Sequence, residues 1–250
     1  MSRYVQFDFS GIPSWGRIEE DQIVLQSGTV FGAWRDTSMK VPLEGAKLFA
    51  PAEPKLMLGV GLNFRSHLQG RSEPSQPELF LKAPGSLLAP GGDVRIPDPE
   101  ADVHAEGELV MVIRKRCQNL TPENAMRHVL GFTIGNDVSA RAWQQGDLQW
   151  WRAKGSDTFA PLGPWVDTEF DWRASRIVTR IDDEIVQEGD LSDMVFDPIQ
   201  VLVHASRHMT LDSGDCIFLG TPGHTRRLEP GQRVSIEIPG LGVLEHGVTG

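Results

Sequence analysis

The sequence predicts a β-rich α+β fold in two parts, a small N-terminal β domain over residues 1–48 and a larger domain over residues 49–250. Short apolar runs of strand length recur along the chain, and 26 glycines and 17 prolines interrupt them. Helical spacing is confined to two clear segments. The pattern therefore favours sheets with a few covering helices over a regular βαβ alternation.

The N-terminal part alternates apolar runs such as QIVLQ with turn signals such as SGIPSWG and QSG, which predicts a few short strands. A proline-containing connector, LFAPAEPK, follows these strands. It leads into LMLGVGLNF, an apolar run typical of a buried strand. The boundary between the two domains is placed at this connector.

Strand-like runs dominate the larger domain, and they read ELVMVIRK, HVLGFTIGNDV, SRIVTRID, CIFLG and RVSIEI. TPENAMRHVL predicts a helix with Thr121 as the N-cap, Pro122 at the first helical position and Glu123 in the first turn. DPIQVLVHASRHM predicts a second helix, with an amphipathic spacing at Ile199, Leu202, Val203 and Ser206.

The overall charge limits the classes of partner. The chain has 250 residues and a formal net charge of −10, which argues against a broad surface for nucleic acid or anionic membranes. No apolar run approaches the length of a membrane span. Only Cys117 and Cys216 occur, without a C-x-x-C pair, so neither a zinc knuckle nor a disulfide framework is indicated. We expect a cytoplasmic protein in a reducing compartment.

The stretch DVHAEGELVMVIRK places Glu106 and Glu108 two residues apart where a buried strand is predicted. In a strand such residues point to the same face, roughly 6–7 Å apart. Two carboxylates on one buried face cost free energy unless a cation lies between them. The spacing alone is also compatible with a strand that enters solvent, where both glutamates face water.

A third acid, Asp137, follows an apolar strand in GFTIGNDVSAR. Taken alone, Asn136 and Asp137 are more typical of a turn than of a metal ligand. Together with Glu106 and Glu108, Asp137 supplies three carboxylates, a set suited to a hard divalent ion such as Mg²⁺. Because this set lacks His and Cys, zinc is less favoured.

Two further side chains are candidates for chemistry. Lys154, in QWWRAKGSDTFAPLGPW, could stabilise negative charge that develops on a substrate oxygen beside the metal, or it could lie on a solvated surface strand. His67, in GLNFRSHLQG, is a candidate general base beside a metal, or a structural histidine.

Seven strings in order resemble the fumarylacetoacetate hydrolase family over about residues 49–250, and the first 48 residues resemble the small N-terminal β domain of some members. The strings are VGLNFRSHLQG, PELFLKAPGSLLAPGG, EGELVMVI, GFTIGNDVSARAWQ, RAKGSDTFAPLGPW, SDMVF and MTLDSGDCIFLGTP. Each string is weak alone, but their order makes the resemblance specific.

The resemblance implies a mixed β-sandwich roll that holds a divalent metal, usually Mg²⁺ with Mn²⁺ or Ca²⁺ as alternatives. It implies that Glu106, Glu108 and Asp137 bind the metal and that His67 and Lys154 are catalytic. It also implies 2-oxo acids or 1,3-dicarbonyl compounds as substrates, and often a homodimer. The substrate-binding positions that it implies are Arg65, Lys82, Thr158 and Thr221.

The sequence departs from the family pattern near His67. Hydrolytic members commonly carry a glutamate three residues after this histidine, where this chain has Gly70, and Glu73 is the nearest acid. Before the first metal glutamate, His104 and Ala105 replace an acid and an aromatic residue, and Ala142 replaces an aspartate. The expected ligands and the lysine are retained. The departures shift weight from hydrolysis toward enolate chemistry without an attacking water.

Three functions follow from these residues. The leading one is a Mg²⁺-dependent enzyme that cleaves or decarboxylates a carbon–carbon bond in a 2-oxo or 1,3-dicarbonyl acid. The second is an isomerase or tautomerase of unsaturated 2-oxo dioic acids that uses the same metal and lysine. The third is a non-catalytic binder of oxo acids. Gly70, at the position where hydrolytic members have a glutamate, is the feature that supports the second and third functions.

Overall fold

The computed structural model describes residues 2–250, and strands dominate it. Within these residues the strands are β1 Arg3–Phe9, β2 Ile12–Glu19, β3 Gln22–Gly28, β4 Trp34–Pro42, β5 Met57–Gly61, β6 Glu78–Lys82, β7 Leu87–Leu88, β8 Asp93–Arg95, β9 Val103–Ala105, β10 Gly107–Ile113, β11 Val129–Asn136, β12 Ser139–Ala140, β13 Ala160–Asp167, β14 Arg176–Ile181, β15 Glu184–Asp190, β16 Cys216–Phe218, β17 Arg226–Arg227, β18 Arg233–Ile238 and β19 Gly242–Thr249. The helices are α1 Arg141–Gly146, α2 Trp151–Gly155 and α3 Pro198–His208.

The strands form one large sheet and two smaller ones. The large sheet has the order β4-β3-β2-β1-β13-β11-β10-β16-β5-β6, with β7 paired to β13. A second sheet has the order β15-β14-β18-β19-β8, and a short third one has the order β12-β9-β17. Most pairs are antiparallel, but β16–β5, β13–β7 and β19–β8 are parallel. The predicted β-rich fold with mixed sheets is confirmed.

The main core fills the space between the large sheet and the five-stranded sheet. Leu109, Met111 and Ile113 of β10 point into it, and Ile236 and Leu244 approach from the opposite sheet. The alternate residues of β10 point to a second core on the other face of the large sheet. Because both faces of β10 are covered, this strand reads as an uninterrupted apolar run.

The N-terminal strands β1–β4 continue the large sheet. The link is the pairing of β1 with β13, which joins Arg3 to Asp167 and Tyr4 to Val166. Val5, Phe7 and Ile23 form a separate small core beneath these strands. The few short strands expected over residues 1–48 are confirmed as four strands, and the division of the chain at residue 48 stays a prediction.

One of the two predicted helices is confirmed and the other is wrong. Helix α3 covers DPIQVLVHASRHM, and Asp197 caps it by accepting a hydrogen bond from the backbone N–H of Gln200. In TPENAMRHVL only a 3₁₀ turn over Ala125–His128 forms. Strand β11 begins at Val129 and pairs there with Ile113. A longer helix cannot form, because its last residues already belong to this strand.

The order of the strands places the candidate site. Strands β10 and β11 lie side by side, and Gly107 faces Asn136 at the end of their ladder. The loops that follow β5 and β16 run close to the same end of the sheet, because those two strands pair in parallel. Among the described residues, no helix is both long and apolar enough to cross a membrane.

Candidate metal centre and active site

Three carboxylates meet at the shared end of β10 and β11. Glu106, Glu108 and Asp137 each offer an oxygen, and these oxygens lie within 4.8 Å of one another. All three residues are at least 97 % buried. The alternative in which the two glutamates face water is therefore wrong, and the Asp137 carboxylate is buried beside them.

The backbone of Glu106 is fixed from both sides. This residue lies in the break between β9 and β10, where its N–H donates to the side-chain oxygen of Asn136 at 2.8 Å. Its carbonyl accepts the backbone N–H of Asp137 at 2.9 Å. The Ser139 hydroxyl donates to Oε2 of its carboxylate at 3.0 Å. Two of the three acids thus hold each other at a defined spacing.

Lys154 bridges two of the acids from helix α2. Its ammonium lies 2.7 Å from Glu106 Oε2 and 2.5 Å from Asp137 Oδ2. Burial acts to lower the pKa of Lys154, but Asp137 and Glu106 outweigh it and raise that pKa above its ordinary value. Lys154 is 3 % exposed, so the alternative of a solvated surface lysine is wrong.

Glu106 has a second cation beside it. Arg141, the first residue of α1, donates a short hydrogen bond to Oε1 of Glu106 and another to the Thr225 hydroxyl at 3.1 Å. Burial acts to raise the pKa of Glu106, but Lys154 and Arg141 outweigh it and hold that pKa well below its usual range. Glu106 is therefore ionised whether or not a metal is bound.

Glu108 is the carboxylate without an ion pair among the described residues. Its Oε2 accepts the backbone N–H of Gly220 at 2.7 Å, and no described residue donates to its other oxygen. Burial, together with the charges of Asp137 and Glu106, raises the pKa of Glu108 well above its ordinary value. A cation at this place would remove that repulsion.

These oxygens fit a hard divalent ion. Mg²⁺, Mn²⁺ and Ca²⁺ prefer carboxylate oxygens, and the three acids supply these without a sulfur or imidazole ligand. One of the three, Glu108, has a raised pKa and no ion pair among the described residues. The triad could thus hold a metal, as the sequence predicted.

A cavity of about 500 Å³ opens onto the three acids. Phe80 and Trp150 form one wall with their rings in edge contact, 5.6 Å between centroids. The other lining residues are Val60, Gly61, Leu62, His67, Gln69, Arg71, Glu106, Glu108, Asp137, Arg141, Gln144, Gln145, Lys154, Thr221 and Thr225. The predicted residues His67, Lys154 and Thr221 are among them.

His67 is held in one tautomer by the loop after β16. Its Nδ1 lies 2.5 Å from the carbonyl oxygen of Gly223. Since a carbonyl can only accept, Nδ1 carries a proton, and in the neutral ring Nε2 keeps a free lone pair. Ser66 and Gln69 bond to Gly223 and His224, so the two loops are joined on both sides of the histidine.

Three predicted substrate-binding residues lie outside the cavity lining. Lys82 is fully buried behind the acids, where it donates to Asp137 Oδ1 and to the Lys154 carbonyl at 2.6 Å each. Arg65 pairs with Glu73 at 2.8 Å and donates to the Met194 carbonyl. The Thr158 hydroxyl accepts the N–H of Arg95 at 2.9 Å. Their roles as substrate contacts stay predictions.

Gly70 does not stand on a helix. Only a 3₁₀ turn over Arg65–His67 forms here, and Gln69 and Gly70 follow with φ of +50° and +84°. Glutamate at this position would be strained, because L side chains rarely adopt that φ. A glutamate at position 70 would therefore not form a helical pair with His67, and Glu73, the nearest acid, is already paired with Arg65.

Two arginines, Arg71 and Arg141, and the hydroxyl residue Thr225 are among the cavity residues that the sequence did not predict. Arg141 could have been found, because it follows Asp137 closely in the quoted string GFTIGNDVSARAWQ. Thr225 and Arg71 reach the site through loop packing that leaves no periodic signal.

Comparison with known proteins confirms the resemblance. The family model of the fumarylacetoacetate (FAA) hydrolase C-terminal domain matches residues 57–249, and that of the Rv2993c-like N-terminal domain matches residues 2–51. Protein Rv2993c of Mycobacterium tuberculosis is 39 % identical over 223 residues, which cover 87 % of this chain and 84 % of that protein.

Two further relatives carry named activities. A mitochondrial oxaloacetate tautomerase, fahd2, of Xenopus laevis is 36 % identical over 80 % of this chain and 68 % of its own length. The crystal structure of a 2-hydroxyhepta-2,4-diene-1,7-dioate isomerase from Mycobacterium marinum superposes with a TM-score of 0.93 at 33 % identity. That superposition covers 100 % of this chain and 98 % of the isomerase.

The raised pKa of Glu108 predicts that any cation binding by the three acids depends on pH. Because its pKa is raised in the metal-free protein, a proton competes with the cation at low pH, and affinity should rise as the pH rises. Titration calorimetry with Mg²⁺ in buffers of different ionisation enthalpy should show release of up to about one proton. Glu108→Gln should bind weakly and without this pH dependence, whereas Glu123→Gln, at an exposed site, should behave like the wild type. Wild-type affinity that does not change with pH would contradict this assignment.

Proposed function

This chain belongs to the fumarylacetoacetate hydrolase family, and we propose that it is a divalent-cation-dependent tautomerase or isomerase of 2-oxo acids. The observation that supports this choice is the hydrogen-bond partner of His67. Its Nδ1–H donates to the carbonyl of Gly223, and no carboxylate of the described residues forms a hydrogen bond with the ring.

The kind of partner affects which proton His67 can take. When histidine deprotonates water, the imidazolium that forms is stabilised by the negative charge of a carboxylate partner. A neutral carbonyl orients the ring but supplies no negative charge. The carbon next to a ketone is a better proton donor than water when the resulting enolate is stabilised. His67 is therefore suited to moving a proton on and off carbon, the step that tautomerisation requires.

The remaining residues stabilise charge and orient the substrate. When bound by Glu106, Glu108 and Asp137, a divalent cation supplies a Lewis acid that draws electron density from substrate oxygens. Lys154 is a fixed hydrogen-bond donor at the cavity wall, so a carbonyl oxygen that gains charge beside it is stabilised without reorganisation. His67 Nε2 then returns the proton to the other end of the enolate.

The charges at the cavity favour a substrate with two carboxylates. The three negative charges of the acids are already balanced by the three positive charges of Lys82, Lys154 and Arg141. The two charges of a divalent cation would therefore remain to balance a 2-oxo carboxylate and the enolate oxygen. Arg71 adds one more charge at the cavity lining, and its guanidinium contacts no acid among the described residues. We therefore propose 2-oxo dioic acids as the substrate class.

Cleavage or decarboxylation of a carbon–carbon bond is the second candidate. His67 lines a cavity of about 500 Å³, which has room for a water beside a small oxo acid, and Nε2 is the ring nitrogen that the Gly223 carbonyl leaves free. The same His67 and Lys154 would serve that reaction, so product analysis has to separate the two.

We further propose Mg²⁺ as the metal, with Mn²⁺ or Ca²⁺ as alternatives, and a homodimer in the cytoplasm. Carboxylate oxygens favour these hard ions without selecting one of them.

The homodimer is supported by exposed apolar side chains. Leu148 and Trp151 are 96 % and 72 % exposed, which is compatible with burial against a second copy. Sedimentation equilibrium would report the oligomeric state.

The reaction type is tested by the products that purified protein forms with Mg²⁺. We expect rapid keto–enol interconversion of oxaloacetate and slow cleavage of acylpyruvates. Lys154→Met, which keeps most of the side-chain volume, should slow interconversion by about 10²–10³-fold, the usual cost of a lost electrostatic donor. Lys55→Met, at an exposed site, is the control.

Two results would contradict this proposal. Acylpyruvate cleavage that exceeds tautomerisation would establish the hydrolase instead. A Lys154→Met variant with native circular dichroism and wild-type turnover would remove this lysine from the reaction.

The second carboxylate is tested at Arg71. Arg71→Gln should raise the KM for oxaloacetate by about two- to fivefold, the range for a solvent-exposed ion pair, and leave that for the monocarboxylate acetylpyruvate unchanged. Arg116→Gln is the matched control, because Arg116 pairs with Asp212 and does not line the cavity. An equal change in KM for both substrates in Arg71→Gln would show that Arg71 does not bind the second carboxylate.

A further inference from the structure

A buried chain of hydrogen bonds lies behind Glu106 and outside the cavity lining. The amide oxygen of Asn136 accepts the Glu106 N–H at 2.8 Å, and the amide nitrogen of Asn136 donates to His246 Nε2 at 2.8 Å. His246 Nδ1 donates to the Gly247 carbonyl at 2.9 Å. Asn136 is completely buried and His246 is 2 % exposed.

Only one assignment of protons satisfies this chain. The Glu106 N–H can only donate, so the amide of Asn136 must turn its oxygen toward it and its NH₂ toward the histidine. His246 must then accept at Nε2 and donate at Nδ1, which requires the neutral ring. Burial lowers the pKa of His246 to about 4, so the ring is neutral at physiological pH.

The position of the chain gives it a mechanical role. The β10–β11 ladder ends at Gly107 and Asn136, so the Asn136 side chain replaces the strand partner that Glu106 lacks. His246 belongs to β19 in the opposite sheet. The chain thus ties the backbone of Glu106 to both sheets, while Asp137 is tied to the same residue through its N–H.

We propose that Asn136 and His246 are positioning residues that set the spacing of the metal carboxylates and thereby favour a small cation. The inference rests on the proposed metal site. Mg²⁺ demands nearly ideal octahedral geometry at about 2.0–2.1 Å, whereas Ca²⁺ accepts variable geometry at about 2.3–2.6 Å. Freeing the Glu106 backbone therefore costs Mg²⁺ affinity more than Ca²⁺ affinity.

The test is calorimetry of Mg²⁺ and Ca²⁺ binding to three variants of the full chain. His246→Leu removes the acceptor for Asn136 and should lower Mg²⁺ affinity by about 10–100-fold, the usual cost of losing a group that orients a metal ligand, with a smaller loss for Ca²⁺. His246→Gln can accept the same hydrogen bond and should recover most of the affinity. Leu244→Ala, a fully buried residue two positions earlier on β19, should destabilise the fold and leave the Mg²⁺ to Ca²⁺ ratio unchanged.

Each other outcome has a defined meaning. An unchanged ratio of Mg²⁺ to Ca²⁺ affinity in folded His246→Leu overturns the positioning role alone. A change of that ratio in Leu244→Ala attributes the effect to general instability and also overturns it. A wild type that binds neither ion overturns the proposed metal site and this role with it. If His246→Leu does not fold, Asn136→Ser, whose side chain cannot reach His246, takes its place with the same expected loss.

Discussion

Three buried carboxylates that share one small space are the constraint on which the rest of the site depends. Ionised acids in a protein interior cost several kcal/mol each unless positive charge or hydrogen bonds compensate them. The fold brings that compensation from separate elements: Lys82 from β6, Arg141 from α1, Lys154 from α2 and the N–H of Gly220 from the loop after β16. Glu108 receives the least, so this glutamate is where a divalent cation gains most.

The same constraint explains the arrangement of loops around the cavity. The parallel pairing of β5 with β16 brings two loops together at one end of the sheet, and these loops bond to each other through Ser66, His67 and Gly223. A histidine on a loop would otherwise lose entropy whenever it reached the substrate. Here the Gly223 carbonyl fixes the position and the tautomer of His67. No acid at position 70 is needed to orient the ring.

The sequence predicted the parts that depend on strand periodicity and on ordered motifs. The buried run after Glu108, the acid at the end of β11 and the amphipathic helix α3 are local patterns, and all are found. The helix expected after Thr121 failed because sheet pairing at Val129 overrides local propensity. Arg71, Thr225 and the Gly223 carbonyl could not be predicted, because they reach the cavity through contacts between loops distant in sequence. Lys82 is in a quoted motif, but only the structure shows it behind the acids.

A single divalent cation held by Glu106, Glu108 and Asp137 together would be directly visible by crystallography. The most direct measurement is anomalous diffraction at the manganese edge from crystals of the wild-type protein grown with Mn²⁺. We expect a single strong peak among the three carboxylates, about 2.0–2.6 Å from an oxygen of each. A peak that lies only at exposed acids, or none among these three residues, would contradict it.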